Sequence, residues 1–242
     1  MNEKTIIVGV FISIPKCASK TILEMFKLGK NRDNHFSEKS EQFIIYENHQ
    51  RLKILEQKYD LKDKYIFTFV RHPYQRIISW FYYHKNTEPY RSQSLNEWIS
   101  NGCQTHWKIQ NETNWKKENL SPILQYNFIE GNSEINYIGK IENFEEDSKN
   151  IIFQLNTLFN QNNCPKKISY EKIQKNTSIK KNNDVITDEN KSLIYNMFRK
   201  DFDYFNYHHY LMDIPYLDDE LKQKIFDTDN CVDLIKNVLL IK

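Results

Sequence analysis

Two short stretches carry the residue types that bind a phosphate or a sulfate. The first is IPKCASKT, residues 14–21, set directly behind an apolar run. A loop leading from a buried strand into a helix offers backbone N–H groups at the positive end of the helix dipole, which suits an anion. Lys16 adds a point charge, and Ser19 and Thr21 add hydroxyl donors. An ordinary strand–helix turn with a solvated lysine is the plain alternative. A Walker A loop, G-x-x-x-x-G-K-S/T, aligned on Lys20 and Thr21 lacks its glycines, with Ser19 at the second of them. The second stretch, YIFTFVRHPYQRIISW, puts Arg71 just after another apolar run and Ser79 eight residues on, within the next helical pattern.

Two such loops meet only if the strands before them run parallel and end at one edge. Residues 5–14 lack polar alternation, as expected of a central parallel strand covered on both faces. Residues 19–30 read as a helix with Ile22, Leu23 and Phe26 on one side and Gly29 near its end. Residues 41–48 read as a short strand, 49–60 as a helix and 64–70 as a second buried strand. Pro73 suits the first turn of the helix that follows. Residues 87–134 are less regular. A late strand, 136–144, leads into an amphipathic helix over 145–159, and 164–184 is a basic loop. A capping start at Thr187, with Asn190 as a weak partner, opens a further helix. Strands alternating with helices predict an α/β, P-loop-like three-layer fold with a central, mainly parallel sheet flanked by helices. The expected organisation is one domain over 1–210 with a helical extension, 211–242, packed on it.

In this order and context the two stretches closely resemble the sulfotransferases that use the donor 3′-phosphoadenosine 5′-phosphosulfate (PAPS). The nearest likeness is to the carbohydrate group that includes heparan sulfate 2-O-sulfotransferase. In that family a loop of the form P-K-x-x-S/T-S/T grips the 5′-phosphosulfate, and R-D/H-P-x-x-R-x-x-S grips the 3′-phosphate. The resemblance implies that Lys16, Cys17, Ala18, Ser19, Lys20 and Thr21 form the 5′ loop, and that Arg71 and Ser79 hold the 3′-phosphate. Residues 137–152 and 192–207 also look familial, so the likeness runs from about residue 6 to 207 and is faint across 87–134. Cys17 and Lys20 stand where relatives often have Thr, Gly or Ser, and His72 replaces the usual acidic residue after Arg71. Relatives close over the adenine and 3′-phosphate with a segment just before their last core helix. That implies Thr177, Ser178, Lys180 and Lys181 here, with a solvated charged loop as the alternative.

The activity so implied is transfer of a sulfuryl group from PAPS to a carbohydrate hydroxyl, giving PAP, with no metal required. Such a transfer needs an in-line nucleophile, positioning, and neutralised charge on the leaving group. Lys16 and the loop N–H groups are placed to stabilise the charge that grows on the bridging oxygen. A hydroxyl nucleophile needs a base near neutral pH, which suits histidine. His49 is the candidate, because it follows the short strand 41–48 and so lies at the C-terminal edge of the sheet. It precedes Arg71 by 22 residues, much as a catalytic histidine does in the family resembled. Glu47 is placed to orient His49 or to act alongside it. His35 is the fallback. His72 either faces the 3′-phosphate or is structural. Arg76 either pairs with a core carboxylate or touches ligand. Trp98, Trp107 and Trp115 are candidates to stack on sugar rings, against the commoner role of core aromatics.

Charge and cysteine usage narrow the partners. Lys+Arg of 34 against Asp+Glu of 32 gives +2, so the chain has no global polyanion-binding signal and nucleic acid is not expected. Cys17, Cys103, Cys164 and Cys231 show neither CxxC nor zinc-finger spacing and fit reduced thiols. The apolar run 6–14 is too short to span a bilayer and lacks the flanks of a signal peptide. A cytoplasmic enzyme with no membrane span is expected, acting on a glycan or other hydroxyl-bearing acceptor. The runner-up is a P-loop kinase with a degenerate Walker A, using ATP and Mg²⁺ through Lys20 and Thr21. A third possibility is a non-catalytic nucleotide-binding protein that keeps Lys16 and Arg71. Nothing in the sequence bears on oligomeric state.

Overall fold

The computed structural model describes residues 7–26, 43–88, 90–103, 124–164, 167–172 and 185–207. Among them four strands form one parallel sheet: β1 (Gly9–Ile12), β2 (Ile44–Glu47), β3 (Tyr65–Val70) and β4 (Tyr137–Lys140). Their spatial order is β2-β1-β3-β4. β1 is buried throughout and β3 at all but its first residue. Both strands are therefore covered on both faces, which is why their sequences show no polar alternation.

Successive strand side chains point to opposite faces. Val10, Ile12, Ile66 and Val70 join a core shared with α2 (Leu52–Lys58), α3 (Pro73–His84), α4 (Leu95–Ser100) and α7 (Asp188–Tyr204). Phe11, Phe67 and Phe69 join a second core, with α1 (Ser19–Met25) and α6 (Phe144–Gln161). Phe11 stacks on Phe67 at 5.3 Å between ring centroids, and Phe26 meets Phe67 edge-on at 5.4 Å. Each such side chain contributes roughly 1.5–3 kcal/mol when fully buried, so the two apolar faces hold the layers together. The outcome is the expected three-layer α/β fold.

The stretch 87–134 holds more order than its sequence suggests. It contains α4, opened by a capping box. The Glu97 N–H donates to Ser94 Oγ at 3.2 Å, and the Ser94 N–H donates to Glu97 Oε2 at 2.7 Å. The S-x-x-E signal for that start was present in the chain. Trp98 lies on this helix, 1% exposed, against Phe81 and Tyr90. It is a core residue, not a sugar platform. A single turn, α5 (Tyr126–Ile129), follows later. α7 opens as its sequence predicts, with the Asn190 N–H donating to Thr187 Oγ1 at 3.3 Å. The Asn190 amide also donates to the Asn96 carbonyl and accepts from Ser100 Oγ, both at 2.9 Å, tying α7 to α4.

His35, Trp107, Trp115, Thr177, Ser178, Lys180 and Lys181 lie outside the described residues. One compact unit ends at Tyr207, and the second, His208–Lys242, also lies outside them, with the expected helical extension over 211–242. Among the described residues no helix is long and apolar enough to cross a membrane.

Candidate functional site

The order of connection reverses between β1 and β3, so the loops leaving their C-terminal ends part and open a crevice. Ile12, the last residue of β1, pairs with Thr68, two residues before the end of β3, and the Thr68 hydroxyl donates to the Ile12 carbonyl at 2.7 Å. IPKCASKT leaves β1 and Arg71 leaves β3. The sheet itself thus brings both anion candidates to one edge. An open cleft lined by Glu56, Asp60, Lys64 and Asn136 lies instead near the start of β3 and holds none of the candidates.

The first loop makes its turn without glycine. Lys16 and Ala18 both adopt left-handed backbone, φ 68° and 54°, on either side of Cys17. Residues of alternating hand turn successive N–H groups toward a common concavity. Glycine adopts that conformation freely, whereas each residue with a side chain costs roughly 1–3 kcal/mol there. The Cys17 N–H closes the turn on the Ile14 carbonyl at 3.3 Å. Ala18, the N-cap of α1, has no side chain able to satisfy the first-turn amides of Ser19, Lys20 and Thr21. Ser19 turns its hydroxyl inward, donating to the Ile14 carbonyl at 3.2 Å and accepting from Ser13 Oγ at 2.9 Å. Thr21 is buried and Lys20 exposed.

Four cations converge here. The Lys16 amine is lowered to about 8, first by burial, then by the charges of Arg71, Lys20 and, more weakly, Arg76. Its Nζ rests over the ring of Tyr83, 3.7 Å from the centroid. Burial and neighbouring positive charge both disfavour the protonated amine, and an anion placed among these groups would favour it. Ser79 is half-buried on α3, on the same helical face as Arg76 and Tyr83.

His49 stands at the other side of the first loop. It follows β2 with φ 55°, and its Nδ1 lies 3.0 Å from the Ser13 carbonyl and 3.2 Å from Ser13 Oγ. Burial lowers its pKa to about 4, the hydrogen bond to the Ser13 backbone opposes that, and Arg76 and Lys16 reinforce it. The imidazole is therefore neutral at physiological pH. Only Nδ1–H can donate to a carbonyl, so the lone pair sits on Nε2. Glu47 is not drawn into this arrangement. Its carboxylate accepts from Lys58 Nζ at 2.7 Å and Tyr59 OH at 2.8 Å, at the C-terminal end of α2.

Behind the crevice lies a layer that the sequence did not disclose. The Cys17 thiol points inward and donates to Gln125 Oε1 at 3.1 Å, and burial pushes it up to about 12, so it stays protonated. Gln125 also pairs with the backbone of Arg71. Arg76, 2% exposed, donates from Nε to the Pro15 carbonyl at 3.0 Å and interacts with the buried Asp201. Asp201 accepts the N–H groups of Gln125 and Tyr126, each at 2.9 Å. His72 is structural: its Nδ1 caps α3 by accepting the Tyr74 N–H at 3.3 Å, and its ring packs edge-on against Phe202 and Tyr207.

The sheet is parallel, with a glycine-free loop carrying Lys16 after β1 and an arginine, Arg71, after β3. The model of the Sulfotransferase family matches residues 7–208, and the chain belongs to that family. Sulfuryl transfer is accordingly its general chemistry. No curated protein and no solved structure matches the chain significantly.

Proposed function

We propose that this sulfotransferase moves a sulfuryl group from PAPS to a hydroxyl of a carbohydrate acceptor, with His49 as general base. The observation that carries the proposal is a neutral His49, held by burial and, more weakly, by the charges of Arg76 and Lys16, beside a first loop whose Lys16 is crowded by Arg71 and Lys20. The donor supplies the activated sulfate when bound. Lys16 and the N–H groups of residues 16–21 would hold its 5′ end, and Arg71 with Ser79 its 3′-phosphate.

The chain's own groups divide the work. The Ser13 carbonyl fixes His49 in the tautomer that presents a lone pair at Nε2, where it takes the acceptor's hydroxyl proton. Lys16 and the left-handed loop stabilise charge on the departing phosphate oxygen, and preorganised donors are typically the largest single contribution to such a step. Glu47, engaged by Lys58 and Tyr59, supports the loop that carries His49 and does not handle protons in this scheme.

The test separates binding from chemistry. His49→Ala is expected to lower turnover of PAPS by about 10²–10⁴-fold while leaving PAP affinity within about threefold of wild type. Near-normal turnover in His49→Ala would remove His49 from the base role.

A further inference from the structure

Gln125 is fully buried at the N-cap of α5, and neither the donor motifs nor the base assignment uses it. Its side-chain amide meets both polar groups of one residue. Oε1 accepts the Arg71 N–H at 2.9 Å, and Nε2 donates to the Arg71 carbonyl at 2.8 Å. This double pairing continues the hydrogen-bond ladder one residue past Val70, the end of β3. The same Oε1 accepts the Cys17 thiol at 3.1 Å. One planar amide therefore touches both anion loops. Its orientation is unambiguous, because an N–H and an S–H need the oxygen and a carbonyl needs the nitrogen.

The amide is itself fixed. Asp201 of α7 accepts the Gln125 N–H at 2.9 Å and, through its other oxygen, the Tyr126 N–H at 2.9 Å. Arg76 faces Asp201 electrostatically and holds the Pro15 carbonyl at 3.0 Å. Gln125 joins the first loop directly to Arg71, and Arg76 joins the same loop, at Pro15, to the helix that follows Arg71.

We propose that Gln125 is a positioning residue that sets the spacing between the 5′ and 3′ anion loops, and so favours a nucleotide with phosphate at both ends over one with a 5′-phosphate alone. This rests on the donor-site reading above. Two of its three bonds to the loops end on the backbone of Arg71, the residue assigned above to the 3′-phosphate. Without them Arg71 shifts relative to Lys16. A ligand that bridges both loops registers that shift, and one that meets only the first loop does not.

The test is calorimetric binding of PAP and of 5′-AMP to the full chain. Wild type is expected to prefer PAP. Gln125→Ala is expected to weaken PAP at least about tenfold, and AMP less than about threefold, narrowing the PAP-to-AMP preference. Gln125→Glu keeps the shape and the acceptor but sets a carboxylate oxygen against the Arg71 carbonyl. It is expected to narrow the preference at about pH 8 and to recover it at about pH 5, where a protonated carboxyl donates again. A purely structural role lowers the melting temperature and the folded fraction without moving the ratio of the two affinities. Should neither Gln125 variant fold, Cys17→Ala decides. It removes the thiol's bond to Gln125 and its longer one, 3.7 Å, to the Pro15 carbonyl, leaves both Arg71 bonds in place, and is expected to narrow the preference by about threefold, in line with a weak thiol donor. An unchanged PAP-to-AMP preference in the variants that fold overturns the proposal alone. Wild type that ignores PAP overturns the donor site and this proposal together.

Discussion

Lys16 is a lysine whose surroundings weaken its hold on the proton the reaction needs, and His49 is a histidine whose surroundings favour the neutral form the reaction needs. Lys16 must keep its proton, so lowering its pKa from 10.5 to about 8 brings the alkaline limb of kcat/KM down to about pH 8. His49 must have lost its proton, so lowering its pKa from 6.5 to about 4 moves the acid limb down to about pH 4. A plateau between those limits is expected for the free enzyme. An acid limb near 6.5 would contradict the environment assigned to His49. Lys16→Arg is expected to lower activity, because a planar guanidinium does not reproduce a point charge, and to move the alkaline limb upward. Ala18→Gly relieves left-handed strain and is expected to raise unfolding free energy by up to about 1 kcal/mol in urea titrations, whereas Ala18→Val lowers it. That Lys16, His49 and Arg71 follow the C-terminal ends of strands was legible in the sequence from the apolar runs before them, while the roles proposed for them and for Ser79 came with the family resemblance. Gln125 was not legible. It lies where no periodicity or motif marks it, and its role exists only once residues 17, 71 and 201 surround it.

The elements were legible where a single physical signal dominated. β1 and β3 announced themselves as unbroken apolar runs, α3 by Pro73 in its first turn, and α7 by the Thr187 cap. α4 was passed over although Ser94 and Glu97 spell a capping box, because the surrounding polar residues hid a helix of only six residues. Close approach between elements left almost no trace in the sequence. Gly139 in β4 is a plain glycine on paper, yet a Cβ there would come within 2.6 Å of the Phe69 ring on β3. Gly139→Ala is therefore expected to destabilise the fold by about 1–3 kcal/mol, read as a lower urea midpoint at unchanged slope. An effect below a few tenths of a kcal/mol would mean that β4 moves aside without cost.

At the scale of the whole molecule, the strand order brings the two candidate loops to one edge of the sheet. Among the described residues the direction of connection reverses between β1 and β3, and both candidate anion-binding stretches leave the ends of those two strands. That convergence is a property of the parallel sheet and was available from the alternation of strands and helices. The frame behind it, from Asp201 through Gln125 to Arg71 and Cys17, depends on how α7 packs and was not. The most direct measurement is a calorimetric titration of the purified chain with PAP, against ATP·Mg²⁺ as the rival ligand, in wild type and Arg71→Ala. PAP binding on the order of micromolar, lost in Arg71→Ala and not matched by ATP·Mg²⁺, is the expected result. Absence of PAP binding, or a preference for ATP·Mg²⁺, would contradict the donor site and favour a kinase-like use of Lys20 and Thr21.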